Sequence, residues 1–340
     1  MKYGYYPGCS LERNASAYNQ STLAVAEKLG IGFSEVDDWN CCGATEYIAI
    51  NLLPAYALIG RNLALASQLP VDATTGNNGH HPQKQLVAPC SACFLNLSKA
   101  DHYMAQSPKL TRQVNEALAV GGLNYDPGSI RVRHLLEIMV DDVGYEAIGS
   151  AVNRPLYNLR LAPYYGCLIV RPSFHGQFDD PEYPTKLDTL LQTLGATVVD
   201  YPVKTHCCGG HMTQISEAVA HDLIRRLLKN AADHQADAIV TLCPMCQLNL
   251  DGYQDSVNKR FGTNYQLPIL YFTQLMGLAF GLPAADLGFG KELVPADLAL
   301  KKIGVEPPPP PAKKRQRPPK EALPMPSAEI PERARKETVS

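Results

Sequence analysis

Several things are scarce in this 340-residue chain, and each absence narrows the options. It has almost no net charge, −2 at pH 7, which argues against general nucleic-acid binding, since that needs a strongly basic face. No dinucleotide-type glycine fingerprint and no CxxCxxCxxxC run is present, so neither a nicotinamide or flavin site nor a ferredoxin-type cubane is expected. The opening MKYGYYPGCS lacks the apolar core of a secretory signal, which predicts a cytoplasmic protein. Long apolar runs are also missing, with one imitation. Phe261 to Ala285 carries no charge, yet Pro268 and Pro283 bracket its apolar part, and Asn264, Gln266, Thr273 and Gln274 interrupt it. That stretch is shorter than the roughly 20 residues of a spanning helix and is predicted to be a buried strand and helix. The apolar share of 45% and charged share of 19% are those of a soluble globular protein.

Cysteine is what the chain has in excess. Cys9, the vicinal pair Cys41-Cys42 before Gly43, and Cys90-Ser-Ala-Cys93 form one series. Cys167, Cys207-Cys208 before Gly209, and Cys243-Pro-Met-Cys246 form a second. The spacings are C-x31-CCG and C-x39-CCG, then 47 and 34 residues to each CxxC, and these ten are all the cysteines present. In a chain expected to be cytosolic they point to metal or redox chemistry rather than a disulfide scaffold. Adjacent cysteines also make strained disulfide partners.

The rest of the chain repeats with the cysteines. KYGYYPGC reads as a strand presenting Cys9 at its tip. Ala15–Leu29 has helical periodicity and is stopped by Gly30, and Ile31–Val36 forms a strand running towards Cys41. Thr45–Leu69 is helical, Val71–Gln85 is a polar loop, and Leu86–Ala88 is a strand leading to Cys90 and a helix beginning CFLNLSKAD. Ile130–Met139 supplies a last strand and helix. In the second copy, Leu161–Cys167 matches Tyr3–Cys9, Leu187–Leu194 is a helix stopped by Gly195, Thr197–Tyr201 is a strand, and Ala238–Cys243 matches Leu86–Cys90. CQLNLDGY matches CFLNLSKA, and LPILYFTQLM matches IRVRHLLEIM. The expectation is an α/β protein of two pseudo-twofold-related domains, residues 1–150 and 151–290, each a mostly parallel sheet flanked by helices. From residue 305 the chain is Pro-rich and basic (EPPPPPAKKRQRPPK), predicting a disordered tail over 305–340.

On this reading the cysteines fall at strand ends and helix starts, the ligand-binding edge of α/β sheets, where helix N-termini favour thiolate. Five thiolates exceed what tetrahedral zinc or a cubane cluster uses. A larger or irregular iron–sulfur cluster in each half accounts for all of them. The alternative at this point is a four-cysteine zinc site with one idle thiol.

With C-x(n)-CCG-x(n)-CxxC occurring twice after an opening YYPGC, residues 1–285 resemble the CCG-domain family, and within it the B subunit of heterodisulfide reductases. The resemblance implies one noncubane [4Fe-4S] cluster on Cys9, Cys41, Cys42, Cys90 and Cys93, and a second on Cys167, Cys207, Cys208, Cys243 and Cys246. It implies an oxidoreductase acting on sulfur groups, which cleaves a disulfide, or oxidises thiols or sulfane sulfur in reverse, between the two clusters. His206 and His211, flanking Cys207-Cys208, are the candidate proton donors, and Gly43 and Gly209 are candidates for tight turns beside the clusters. The implied partners are a ferredoxin-like C subunit with cubane [4Fe-4S] clusters and a flavin-containing A subunit, with a thiol or disulfide substrate. The competing expectation is an electron-transfer or anchor subunit of a succinate dehydrogenase, fumarate reductase or 2-hydroxy-acid oxidase complex, with peripheral membrane association.

Overall fold

Two sheets with the same strand order carry the chain. The computed structural model describes residues 1–44, 47–71, 73–74, 83–172, 174 and 178–306, with the backbone alone at 47, 73 and 74. The polar segment 75–82, which includes His80 and His81, and the Pro-rich tail beyond 306 lie outside the described residues. In the first sheet β1 (Lys2–Tyr5) lies between β2 (Gly32–Glu35) and β4 (Gln83–Ala88), and β5 (Ile130–His134) flanks β4, all parallel. A two-residue strand, β3 (Ala73–Thr74), pairs antiparallel with the start of β4, so part of the expected loop extends the sheet. The second sheet runs β7 (Thr197–Val198), β6 (Arg160–Tyr164), β8 (Ala238–Thr241), β9 (Ile269–Tyr271), again parallel. The α/β class and the internal repeat are as the sequence predicts.

Strand order reverses between β1 and β4, and again between β6 and β8. Ligand sites form at such switch points, beyond the carboxyl ends of the strands. Cys9 follows β1 and Cys90 follows β4; Cys167 follows β6 and Cys243 follows β8. The topology therefore delivers four of the ten thiols to the two switch points.

Two departures from the sequence reading have local causes. The strand expected over Thr197–Tyr201 is only Thr197–Val198. Leu161 and Tyr165 bond towards that side of β6, to Val199 N–H and the Lys204 carbonyl, but Pro163 between them has no N–H to extend the ladder. The helix after β5 runs only Leu135–Glu137 and then widens over Ile138–Val143 to an i→i+5 bond, Gly144 N–H to the Met139 carbonyl at 3.1 Å. Gly144, at φ 85°, ends it.

The two repeats pack as one unit over residues 1–307, and both hydrophobic cores draw side chains from both repeats. The helix Phe272–Ala279 is buried along its whole length, and it packs on Ser16–Lys28 of the first repeat. This is the apolar stretch that imitates a membrane span. Among the described residues no helix is long and apolar enough to cross a membrane. Where the two helices meet, the Ser21 hydroxyl donates to the Ala17 carbonyl (2.8 Å), so the Thr273 hydroxyl donates to Ser21 Oγ (2.7 Å), both fully buried. Ser21→Ala leaves Thr273 without that acceptor and should lower stability by about 1–3 kcal/mol. In urea the midpoint should fall with m unchanged; an unaltered midpoint would show that the contact between the repeats is not held there.

Candidate metal centre

Each thiol is placed by a local device, and the devices repeat. Tyr6 Oη donates to the Asn40 carbonyl, and its counterpart Tyr164 Oη donates to the His206 carbonyl, both at 2.7 Å. The residue before each vicinal cysteine pair is thereby fixed to the strand that carries the first cysteine. Asn96 Nδ2 donates to the Cys42 carbonyl (3.2 Å); Asn249 Nδ2 donates to the Cys208 (3.3 Å) and Gly210 (2.8 Å) carbonyls. These asparagines, one turn past Cys93 and Cys246, tie the CCG turn to the CxxC helix. Cys90 and Cys243 sit at the N-caps of the helices Ser91–Gln106 and Pro244–Gly252, with Cys93 and Cys246 in the first turns.

Glycine is demanded where backbone meets sulfur. Gly8 adopts φ 75°, ψ 161°, a region essentially closed to other residues, and a Cβ there would lie 3.0 Å from Cys93 Sγ. Gly166, at φ 69°, would place its Cβ 3.2 Å from Cys246 Sγ. Gly43 and Gly209 also have positive φ, 65° and 97°, but among the described residues nothing lies within 4 Å of a Cβ on Gly43.

The ten sulfurs form one continuous row. Cys9 contacts Cys41 (3.9 Å), Cys41 contacts Cys42, Cys42 contacts Cys93 (3.0 Å), and Cys93 contacts Cys90. Cys90 then meets Cys243 of the other repeat, and the order reverses through Cys246, Cys208, Cys207 and Cys167. The row is a palindrome about the Cys90–Cys243 contact. All ten cysteines are free; Cys9, Cys41 and Cys207 are exposed, Cys167 is half-buried and the other six are buried.

Crowding sets the protonation pattern. Hydrogen bonds from Cys42 and Cys9, with the Gly43 and Ala44 amides, pull the Cys41 thiol far down; Cys167, Cys208 and the Gly209 amide do the same to Cys207. The neighbours that give those hydrogen bonds are pushed up: Cys42 and Cys208 to about 12, through contact with Cys41 and Cys207 respectively. Cys93 and Cys246 are raised by their contacts with Cys42 and Cys208. Without a cation, two thiols in contact do not ionise together; a bound metal would let all of them ionise.

This donor set fits a polynuclear group. Five thiols per half exceed the four that a tetrahedral ion takes. Among the described residues no group of three or more His, Cys, Asp or Glu side chains stands arranged to hold a metal ion.

The histidines separate into two groups. The His206 side chain is exposed, and the structure uses its carbonyl; His211 is half-buried at the cap of the short helix Met212–Ile215. Sequence reasoning missed His134, which is fully buried at the seam. Burial lowers its pKa to about 4. That burial outweighs the opposing pull of the nearby Leu242 and Pro89 carbonyls, so it is neutral there.

A cysteine-rich domain model, CCG, matches residues 3–98 and 161–251, more than half of the chain. The chain is 34% identical over 295 residues to the 8-methylmenaquinol:fumarate reductase membrane anchor subunit of Wolinella succinogenes, covering 87% of this chain and 98% of that one. It is 29% identical over 310 residues to the B subunit of the ferredoxin/F(420)H(2)-dependent CoB-CoM heterodisulfide reductase of Methanosarcina acetivorans, covering 89% and 97%. A protein of Archaeoglobus profundus, described as like the B subunit of heterodisulfide reductase, is 28% identical over 308 residues, covering 89% and 98%. Among solved structures, a hypothetical protein from Helicobacter pylori superposes with a TM-score of 0.66 at 16% identity over 86% of this chain, which spans about half (52%) of that one. That likeness concerns the fold.

The two kinds of glycine should respond differently to alanine. Gly43→Ala pays for left-handed backbone only, about 1 kcal/mol. Gly8→Ala adds a contact with sulfur to a Gly-only conformation, about 3 kcal/mol, and should make Cys93 more reactive to a maleimide. Equal losses in a denaturant titration would contradict the close approach at Gly8.

Proposed function

The chain belongs to the CCG cysteine-rich-domain family, and from that premise we propose that it is the catalytic iron–sulfur subunit of a heterodisulfide-reductase-like oxidoreductase complex. The carrying observation is the palindromic row of ten thiols with Cys90 against Cys243. Reducing a disulfide, RSSR′ + 2e⁻ + 2H⁺ → RSH + R′SH, takes two electrons. Two noncubane [4Fe-4S] clusters, one on each set of five cysteines, would supply them one at a time. Cys9, Cys41, Cys42, Cys90 and Cys93 would hold the first, and Cys167, Cys207, Cys208, Cys243 and Cys246 the second.

The rest of the task falls to the polypeptide. The buried CxxC cysteines keep water from the seam, and the helix N-termini of Ser91–Gln106 and Pro244–Gly252 stabilise negative charge on sulfur. Exposed Cys9, Cys41 and Cys207 leave the outer ends of the row open to solvent. His206, exposed beside Cys207, is the group placed to bring in a proton; His211, half-buried, serves the same turn. With no electron-entry cofactor motif of its own, the chain receives electrons from a ferredoxin-like subunit with cubane clusters, fed by a flavin-containing subunit.

One observation favours a second reading. The fumarate reductase anchor subunit is 34% identical over nearly its whole length, and exposed apolar side chains follow each CCG turn, Ile50 and Leu52 in the first repeat and Ile215 and Val219 in the second. On that reading the same clusters pass electrons to a fumarate-reducing partner at a membrane surface.

Anaerobically purified protein should contain about eight irons per chain and no zinc, and Cys41→Ser or Cys207→Ser should each reduce this to about four. Reduced viologen should be oxidised on addition of a disulfide substrate. Zinc without iron would overturn the redox reading. Full iron with turnover of fumarate by the partner complex, and none with disulfides, would select the second.

A further inference from the structure

Pro89 and Leu242 each precede the N-cap cysteine of a CxxC helix, so their buried carbonyls lie outside the helix ladder and need other donors. Both are met by the same two side chains. Tyr18, fully buried on Ser16–Lys28, points its hydroxyl at the Pro89 carbonyl (3.2 Å) and the Leu242 carbonyl (3.3 Å). His134 lies against the same pair of carbonyls. Its Nδ1 accepts from Leu136 N–H at 3.1 Å, which puts the ring proton on Nε2, the nitrogen 3.4 Å from Ser91 Oγ. One carbonyl comes from each repeat, and each donor reaches both.

Aromatic packing fixes the donors from either side. The Tyr18 ring stacks on Tyr271 at 4.3 Å and 2°, and Tyr271 ends β9 where His134 ends β5. Phe178 of the second repeat meets the His134 ring at 6.3 Å. Each repeat thus sends one aromatic side chain across the seam to the residue ending the other repeat's last strand.

We propose that Tyr18 and His134 are positioning residues that clamp the two CxxC segments together, holding Cys90 against Cys243 so that the two cysteine sites behave as one electronically coupled unit. This rests on the reading that each site carries an iron–sulfur cluster. Neither residue is a proton donor in the reaction; each acts through the two carbonyls. The clamp converts two one-electron sites into a two-electron device.

The test compares wild type, Tyr18→Phe, His134→Gln and Tyr18→Phe/His134→Leu, purified anaerobically as full chains, with iron analysis and EPR of the reduced state. Tyr18→Phe keeps the stacked ring and removes the hydroxyl; His134→Gln keeps an N–H donor. Wild type and His134→Gln should show spin–spin interaction between the two centres. Tyr18→Phe should weaken it, and the double variant should show two independent signals at unchanged iron content. A merely structural role would shift the melting temperature of Tyr18→Phe and leave the interaction intact, and that result would overturn the proposal. So would full iron with non-interacting centres in wild type. Should the chain purify without iron, the functional reading fails, and the clamp is judged on the same preparation with diamide. Diamide takes two electrons and two protons from a thiol pair; a Cys90–Cys243 cross-linked peptide should form in wild type and about fivefold more slowly in Tyr18→Phe, the effect of one lost hydrogen bond. Equal rates, or no such peptide, would overturn it.

Discussion

The structure depends on one awkward requirement, that ten thiols share a continuous row whose middle is buried. Sulfurs at 3.0 Å, as between Cys42 and Cys93, cannot all ionise in a low-dielectric interior, and burying them as charges is costly unless a cation compensates. Much of the local architecture around the row answers that requirement. Helix N-termini face the inner cysteines, backbone amides reach Cys41 and Cys207, and glycine at Gly8 and Gly166 leaves room for sulfur where a Cβ would lie 3.0–3.2 Å from it. The crowding that keeps the thiols from ionising together is what a bound cation would relieve.

The repeat gives the row its symmetry, and the seam gives it its purpose. Each half alone would present five thiols at a switch point of a parallel sheet. Joined through Ser21 and Thr273, Tyr18 and Tyr271, and two cores shared between repeats, the halves bring their innermost cysteines into contact. Cys9, Cys41 and Cys207 are exposed and Cys167 half-buried, while the six cysteines between Cys41 and Cys207 in the row are buried, so the outer parts of the row meet solvent.

How much of this the sequence disclosed depended on whether the signal was local. The ten cysteines, the parallel α/β order and the buried Phe272–Ala279 helix follow from spacing, strand–helix alternation and bracketing prolines. The helices Pro108–Ala119 and Glu217–Asp233 were passed over, although Ser107 before Pro108 is a legible N-cap whose Oγ accepts from Leu110 N–H. Tyr6 with Tyr164 and Asn96 with Asn249 stood in aligned positions, but their roles are hydrogen bonds to distant carbonyls, which alignment alone does not specify. His134 was hidden for a further reason. Its counterpart in the repeat is Tyr271, so the symmetry that revealed the cysteines offered no second histidine to mark it.

The most direct measurement is anomalous diffraction at the iron edge from crystals grown anaerobically. The account predicts two separate groups of iron, each enclosed by five cysteine sulfurs, on either side of the Cys90–Cys243 contact. A single group bridging the repeats, or zinc with four sulfurs and an idle thiol in each half, would contradict it.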